Sequence, residues 1–377
     1  MKILHISNYY HPHIGGIEQV ARDCVSAVRE DAGQRVFCFH SQKGDRRDMV
    51  DGVEVVRAGS FVKVASQSLS FSYGKLLRRE MKAFAPDFVV FHFPNPFGAH
   101  YLLKCLKKSR AKLIVWWHLD ITKQKLLKKL FRGQTLRLLK RADKIVATSP
   151  NYIEGSEFLP AFREKCAVIP NCAADSRVSL SDEEKQRAEE LKRRYAGKCL
   201  LFAVGRHVPY KGMEYLVRAS KLLPDEYAVC IGGEGELTPS LKQLAAGDEK
   251  VQFLGRLPDG ELKAYLAACD IFCFPSITKN EAFGIALAEA MSFAKPSVTF
   301  TIEGSGVNYV SLNGVTGIEV KNGDVGAYAA AIRKLKEDEA LREAYGKAAR
   351  EREQELFTEA AFRRNVRALL GFEEADV

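Results

Sequence analysis

The chain is 377 residues long, 46% hydrophobic and 28% charged, with 57 Lys and Arg against 47 Asp and Glu for a formal net charge of +10. That length predicts two domains with large cores, and the apolar fraction excludes wholesale disorder. The longest apolar stretches, Phe88–Phe91 and Leu113–Trp117, are far too short to cross a bilayer, and with strand-like residues from Lys2 onward no signal peptide is expected. Nine scattered cysteines (Cys24, Cys38, Cys105, Cys166, Cys172, Cys199, Cys230, Cys269 and Cys273) include no C-x-x-C pair. They predict a reduced, cytoplasmic compartment and no metal framework.

Short apolar runs alternate with helix-period segments along the whole chain. KILHIS at 2–7 opens the series, and the helix after it carries Ile17, Val20, Ala21, Cys24, Val25 and Val28 on one stripe. RVFCFH (35–40), DFVVFHF (87–93), KLIVWWH (112–118) and KIVATS (144–149) follow as strands, with helices expected over 98–108 and 123–140. Residues 174–197 are dense in charge and poor in large apolar side chains, and read as a linker. A second strand series then runs CLLFAVG, YAVCIGG, VQFLG, IFCFPS and PSVTF, with helices over 213–223, 258–268 and 284–293. Three helices follow Asp324, the last over 359–370. The expected organisation is α/β: a first domain over 1–173, the linker, a second domain over 198–355 and a final helical segment over 356–377. Continuously apolar strands between amphipathic helices predict parallel sheets covered on both faces, which bind ligands beyond the strand C-terminal ends.

Charge is concentrated in the first part. Residues 1–150 hold 27 Lys and Arg against 12 Asp and Glu, a net of +15, so the rest of the chain carries −5. Lys104–Lys144 alone holds 14 basic residues and two acidic ones, Asp120 and Asp143. That density reads either as a solvated face or as a patch for an anionic surface, membrane or nucleic acid.

Four constellations carry chemistry. The first is the loop after the first strand, where Gly15 and Gly16 permit positive φ and close backbone approach ahead of a helix N-terminus. The second is GRHVPYKG at 205–212, whose Arg206 and Lys211 leave the second domain's first strand as a cation pair suited to a diphosphate. The third is NEAFGIALAEAM at 280–291. There Glu281 can accept from sugar hydroxyls and Glu289 can bind a ribose diol, while the N–H groups at Phe283, Gly284 and Ile285 face a diphosphate. The fourth is HLD, with His118 and Asp120 at the end of an apolar strand.

In this order, GGIEQV, HLD, GRHVPYKG and the Glu-x7-Glu of EAFGIALAE resemble the motifs of retaining glycosyltransferases of family 4, over about residues 1–355. The resemblance implies the GT-B fold, two Rossmann-like domains with parallel sheets facing a central cleft, and a last helix that crosses back to the first, acceptor-binding domain. It implies a nucleoside diphosphate sugar as co-substrate, held mainly by the second domain. Arg206 and Lys211 would bind its diphosphate, Glu281 its sugar and Glu289 its ribose. The backbone at Gly284–Ala286, including Ile285, would meet the donor, with His118 on the donor sugar and Gly15–Gly16 near phosphates or acceptor. HLDITKQKLLKKLF and KRADKIVATSPNY further resemble a subgroup of α-mannosyl transferases of bacterial surface polysaccharides. GDP-mannose is therefore the first expected donor and a UDP-hexose the second. A lipid-linked or polysaccharide acceptor is expected, which would bring the Lys104–Lys144 region to the anionic inner leaflet as a peripheral contact.

No cofactor and no metal are expected, since the chain has no D-x-D triplet and Arg206 and Lys211 supply positive charge instead. His11 and His13 lack a third ligand at metal spacing and read as turn residues. IGGEGEL at 231–237 lacks the full dinucleotide fingerprint. Two alternatives stand beside the retaining enzyme: an inverting GT-B enzyme with His11 or His13 as general base, and a non-catalytic basic nucleic-acid binder. The second lacks any recognisable motif, so no nucleic acid partner is expected.

Overall fold

The computed structural model describes residues 1–13, 15–64, 67–120 and 125–372, with 64 and 125–130 described by backbone alone. It contains two compact units.

The first unit comprises Met1–Thr148, Ser156–Ile169 and the C-terminal stretch from Phe362. Its eight-stranded sheet runs in the order Cys166–Val168, Lys144–Ala147, Lys112–Trp117, Phe88–Phe93, Lys2–Ile6, Gly33–His40, Val53–Gly59 and Arg46–Val50. All neighbours are parallel except the last pair. The central strands are buried on both faces, which is why they read as unbroken apolar runs. The edge strand Arg46–Val50 is polar, and Arg47 and Arg57 answer Glu54, Glu80 and Asp48 across it. The C-terminal stretch closes on this unit through Phe362, whose ring lies 5.8 Å from Trp116, and through an Arg367–Asp31 ion pair.

The second unit comprises Ser149–Gly155 and Pro170–Ala361. Its six parallel strands run Val251–Gly255, Tyr227–Gly232, Cys199–Val204, Ile271–Phe274, Ser297–Phe300 and Gly317–Val320. The short segment 149–155 joins it because Lys279 Nζ donates to the Gly155 carbonyl at 2.8 Å, and because Gly155 passes too close to Gly304 for any Cβ.

The expected linker over 174–197 is corrected by this arrangement. Asp182–Arg194 is a helix, started by a Ser181–Glu184 capping box. Ala188 and Leu191 are buried in the second unit's core, and Arg187 and Glu184 pair with Glu261 and Lys263 of helix Asp259–Ala268. Two apolar positions suffice because that single stripe is all the helix buries. Among the described residues all nine cysteines are free, and no helix is long and apolar enough to cross a membrane.

Candidate active site

The second sheet changes direction between Cys199–Val204 and Ile271–Phe274, the switch point where doubly wound sheets bind ligands. The loops leaving these strands touch. Gly212 has φ 62°, and a Cβ on it would sit 2.1 Å from the Pro275 carbonyl oxygen, so glycine is required on both counts. That contact brings the Lys211 ammonium onto the Glu281 carboxylate, an ion pair with only 14% and 12% of its side chains exposed. Lys211 Nζ also lies 5.2 Å from the Phe274 ring centroid. Ser276 Oγ donates to the same carboxylate at 3.2 Å, and the Ser305 hydroxyl donates to the Glu281 backbone carbonyl. Arg206 is exposed at the start of its loop and donates to the Tyr210 hydroxyl at 3.2 Å.

Gly284, at φ 93°, turns the chain into helix Ile285–Ser292. The first N–H groups of a helix lack intrahelical acceptors and carry the positive end of its dipole. Gly284, Ile285 and Ala286, three to five residues after Glu281 in the chain, are the positions whose N–H groups this rule offers to an anionic ligand. Glu289 is different from the expected lone carboxylate. It is 3% exposed, and the Arg177 guanidinium clasps both of its oxygens from the short helix Asp175–Val178. A buried carboxylate needs such a partner, and the charge of Glu289 raises the pKa of Arg177 against the effect of burial. The glycines of IGGEGEL have a packing use: Cβ atoms on Gly233 and Gly235 would lie 2.0 and 2.4 Å from carbonyl oxygens of Gly205 and His207.

In the first unit the switch point lies between Lys2–Ile6 and Phe88–Phe93. Gly15 is extended at φ −177° and Gly16 begins a helix, so the expected positive φ is absent at both. Their use is the missing side chain: a Cβ on Gly15 would meet the Glu18 carboxylate at 2.2 Å, whereas Gly16 faces open space. His11 and His13 are exposed, and the His13 ring lies 4.3 Å from that of Tyr9. His118, 5% exposed, shares a 2.9 Å hydrogen bond between its Nε2 and His92 Nδ1, and the rings stack at 5.2 Å. Strand register places His5, His92 and His118 in a diagonal row on one face of the sheet. Burial pushes His118 down to about 3 and His5 to about 4, and holds His92 well below the ordinary range. All three are neutral at pH 7. Asp120 is structural. It accepts from Trp117 Nε1 at 3.0 Å, Ser156 Oγ at 2.8 Å and the Glu157 N–H at 3.1 Å.

The expected residues thus divide. Arg206, Lys211, Glu281 and the Phe283–Ala286 backbone gather at one switch point, Glu289 lies inside the helix beyond it, and Gly15, Gly16 and His118 belong to the first unit. Arg177 and His92 went unmarked in sequence. A family model described as Glycosyltransferase Family 4 matches residues 14–177, and one described as Glycosyl transferases group 1 matches residues 182–352. The D-rhamnosyltransferase WbpZ of Pseudomonas aeruginosa is 35% identical over 364 residues, 95% of this chain and 92% of that protein. The chain belongs to the family 4 glycosyltransferases. The O-antigen chain mannosyltransferase C of Escherichia coli is 30% identical over 362 residues, 95% of each chain. In fold, this family 4 enzyme resembles the sucrose-phosphate synthase of Thermosynechococcus elongatus, with a TM-score of 0.80 at 18% identity over 98% of each chain. The fold is GT-B.

Proposed function

We propose that this glycosyltransferase moves a hexose, first of all mannose from GDP-mannose, with retention at the anomeric carbon, onto a lipid-linked or polysaccharide acceptor of a cell-surface glycan. The observation that carries the reading is the Lys211–Glu281 pair beside Arg206 and the Gly284 helix start, two cations and a held carboxylate at one switch point. Arg206, Lys211 and the helix N–H groups would stabilise charge as the sugar–phosphate bond breaks, and Glu281 would accept from sugar hydroxyls. His118 would contact the donor sugar, Glu289 the ribose, and Gly15–Gly16 the phosphates or acceptor. The acceptor oxygen bonds to the anomeric carbon while the C1–oxygen bond to the diphosphate breaks on the same face. The departing phosphate oxygen takes the acceptor hydroxyl's proton, which leaves a glycoside and a nucleoside diphosphate. No metal and no cofactor enter this scheme.

Mannose is favoured by the similarity to a mannosyltransferase. D-Rhamnose, its 6-deoxy counterpart, is the nearest competitor because one relative is a D-rhamnosyltransferase. A membrane-borne acceptor would place the enzyme peripherally on the cytoplasmic leaflet. The test is a thermal-shift and transfer assay with GDP-mannose, GDP-rhamnose and UDP-glucose. A donor at 100 times its dissociation constant adds about 2.7 kcal/mol of stability. Stabilisation and transfer by a UDP-hexose alone would overturn the donor assignment.

A further inference from the structure

The two-residue period of strand Val53–Gly59 puts Val53, Val55 and Arg57 on one face. Val53 and Val55 pack in a buried cluster with Tyr10, Ala21 and Val25. Arg57 takes the next place in that row and is 6% exposed. A guanidinium in a core row is costly unless its donors find partners. The partners of Arg57 divide unevenly. Nε alone faces the Asp48 carboxylate, whereas Nη2 donates to the His11 carbonyl at 2.6 Å and Nη1 to the Tyr10 carbonyl at 3.3 Å. Neutralising Asp48 does not account for this, since Arg46 already meets the other oxygen of that carboxylate at 2.5 Å. On the same sheet edge Arg35 and Arg47 turn both terminal nitrogens to the carboxylates of Glu54 and Glu80. Arg57 turns both of its own to consecutive carbonyls of one loop.

That loop leads from strand Lys2–Ile6 to Gly15 and Gly16, at the switch-point edge of the first sheet. It is tied down early by Asn8, whose carbonyl accepts from the Phe39 N–H at 2.8 Å and whose side chain donates to the Pro94 carbonyl at 2.8 Å. Past Asn8, the planar fork of Arg57 fixes the direction of two successive peptide units, where a point charge would fix neither. We propose that Arg57 is a positioning residue: held by Asp48, it presets the loop so that the Gly15–Gly16 backbone stands ready for its ligand. It touches no reacting atom, yet turnover depends on it. A loop held in its bound shape beforehand removes the ordering cost from the binding step. The proposal deepens the reading of Gly15–Gly16 as a contact for phosphates or acceptor and rests on it for its purpose.

Hydrogen exchange and turnover of the full chain test it together. In wild type the His13 and Gln19 amides are bonded to the Tyr10 and Gly15 carbonyls. In Arg57→Lys the segment 9–19 should exchange about tenfold faster or more, with both sheets as protected as before. Turnover of GDP-mannose in the transfer assay should fall about tenfold or more. Arg57→Met/Asp48→Leu removes the pair without leaving a buried charge alone, so its melting temperature should stay near wild type while the segment loosens and turnover falls. Should either variant melt without a cooperative transition, the other decides. Arg47→Gln breaks an ion pair on the same sheet edge but touches no loop carbonyl, and should keep both loop protection and turnover. Unchanged exchange or unchanged turnover in the folded Arg57 variants overturns the proposal. So does an equal loss in Arg47→Gln, which would make Arg57 a strut of the sheet edge. Exchange needs no donor, so wild-type protein that turns over no GDP-mannose refutes the donor reading, and the exchange result still decides this one.

Discussion

His92 Nδ1 and His118 Nε2 share one hydrogen bond of 2.9 Å inside the first unit, and both rings are neutral at pH 7 because burial disfavours the charged form. Two neutral imidazoles joined this way hold complementary tautomers, so His92 decides whether the outer nitrogen of His118 donates or accepts. His92→Leu should lower kcat about tenfold or more at little cost in GDP affinity. His92→Asn, whose amide can stand in for Nδ1, should recover most of the loss. Equal damage by both, measured as kcat and as GDP binding, would return His92 to a packing role.

The same burial has a signature in stability. In the folded chain His5 and His118 stay unprotonated down to about 4 and about 3, while the unfolded chain takes up protons below about 6.5. The unfolded state therefore binds more protons in this window, and stability must fall as pH drops. Between pH 6.5 and 5 each histidine should cost about 2 kcal/mol, read from urea midpoints. His5→Gln should show a shallower fall.

Lys211 and Glu281 are 70 positions apart in sequence and bonded in space, so each substitution exposes the other's charge. Lys211→Ala should weaken GDP binding and lower turnover by about 10²–10³-fold, as the loss of one transition-state charge donor does. Glu281→Gln should lower turnover comparably yet leave GDP affinity unchanged or tighter, because Lys211 is released. Weaker GDP binding in Glu281→Gln would show that the carboxylate holds the loop rather than the sugar.

Arg177→Met leaves the Glu289 carboxylate buried and alone. With Arg177 partly exposed, the expected destabilisation is about 2 kcal/mol, below the 3–5 kcal/mol of a fully buried pair. Adding Glu289→Gln should restore most of it in thermal melts. A ribose role for Glu289 predicts in addition that Glu289→Gln narrows the preference for GDP over its 2′-deoxy form.

Gly16→Ala adds a methyl group that meets nothing within 4 Å, so the melting temperature should hold or rise slightly. Any fall in kcat/KM in that variant then reports a ligand at the Gly16 backbone. Gly212→Ala, with a positive φ and the Pro275 carbonyl in the way, should lose both stability and turnover.

The buried strands were legible because both faces are covered and the sequence is apolar without interruption, as in Leu113–Trp117. Arg46–Val50 was not, since an edge strand carrying Arg46, Arg47 and Asp48 shows no apolar pattern. Helix Asp182–Arg194 hid behind its charges, burying only Ala188 and Leu191. At the site, Arg206, Lys211 and Glu281 stood out because charges at strand C-terminal ends are unusual. Their partners did not, because Arg177 reaches Glu289 across 112 positions and no local spacing records it. His92 sat within an apolar strand, and its register against Trp116 is what brings it to His118.

Retention is the central claim, and product stereochemistry tests it most directly. The enzyme should be given α-linked GDP-mannose labelled at the anomeric carbon, and the new glycosidic bond read by NMR from its one-bond carbon–proton coupling. Displacement on the same face, with the departing phosphate taking the proton, predicts an α-mannoside. A β-mannoside would contradict it and require a general base on the opposite face of the sugar.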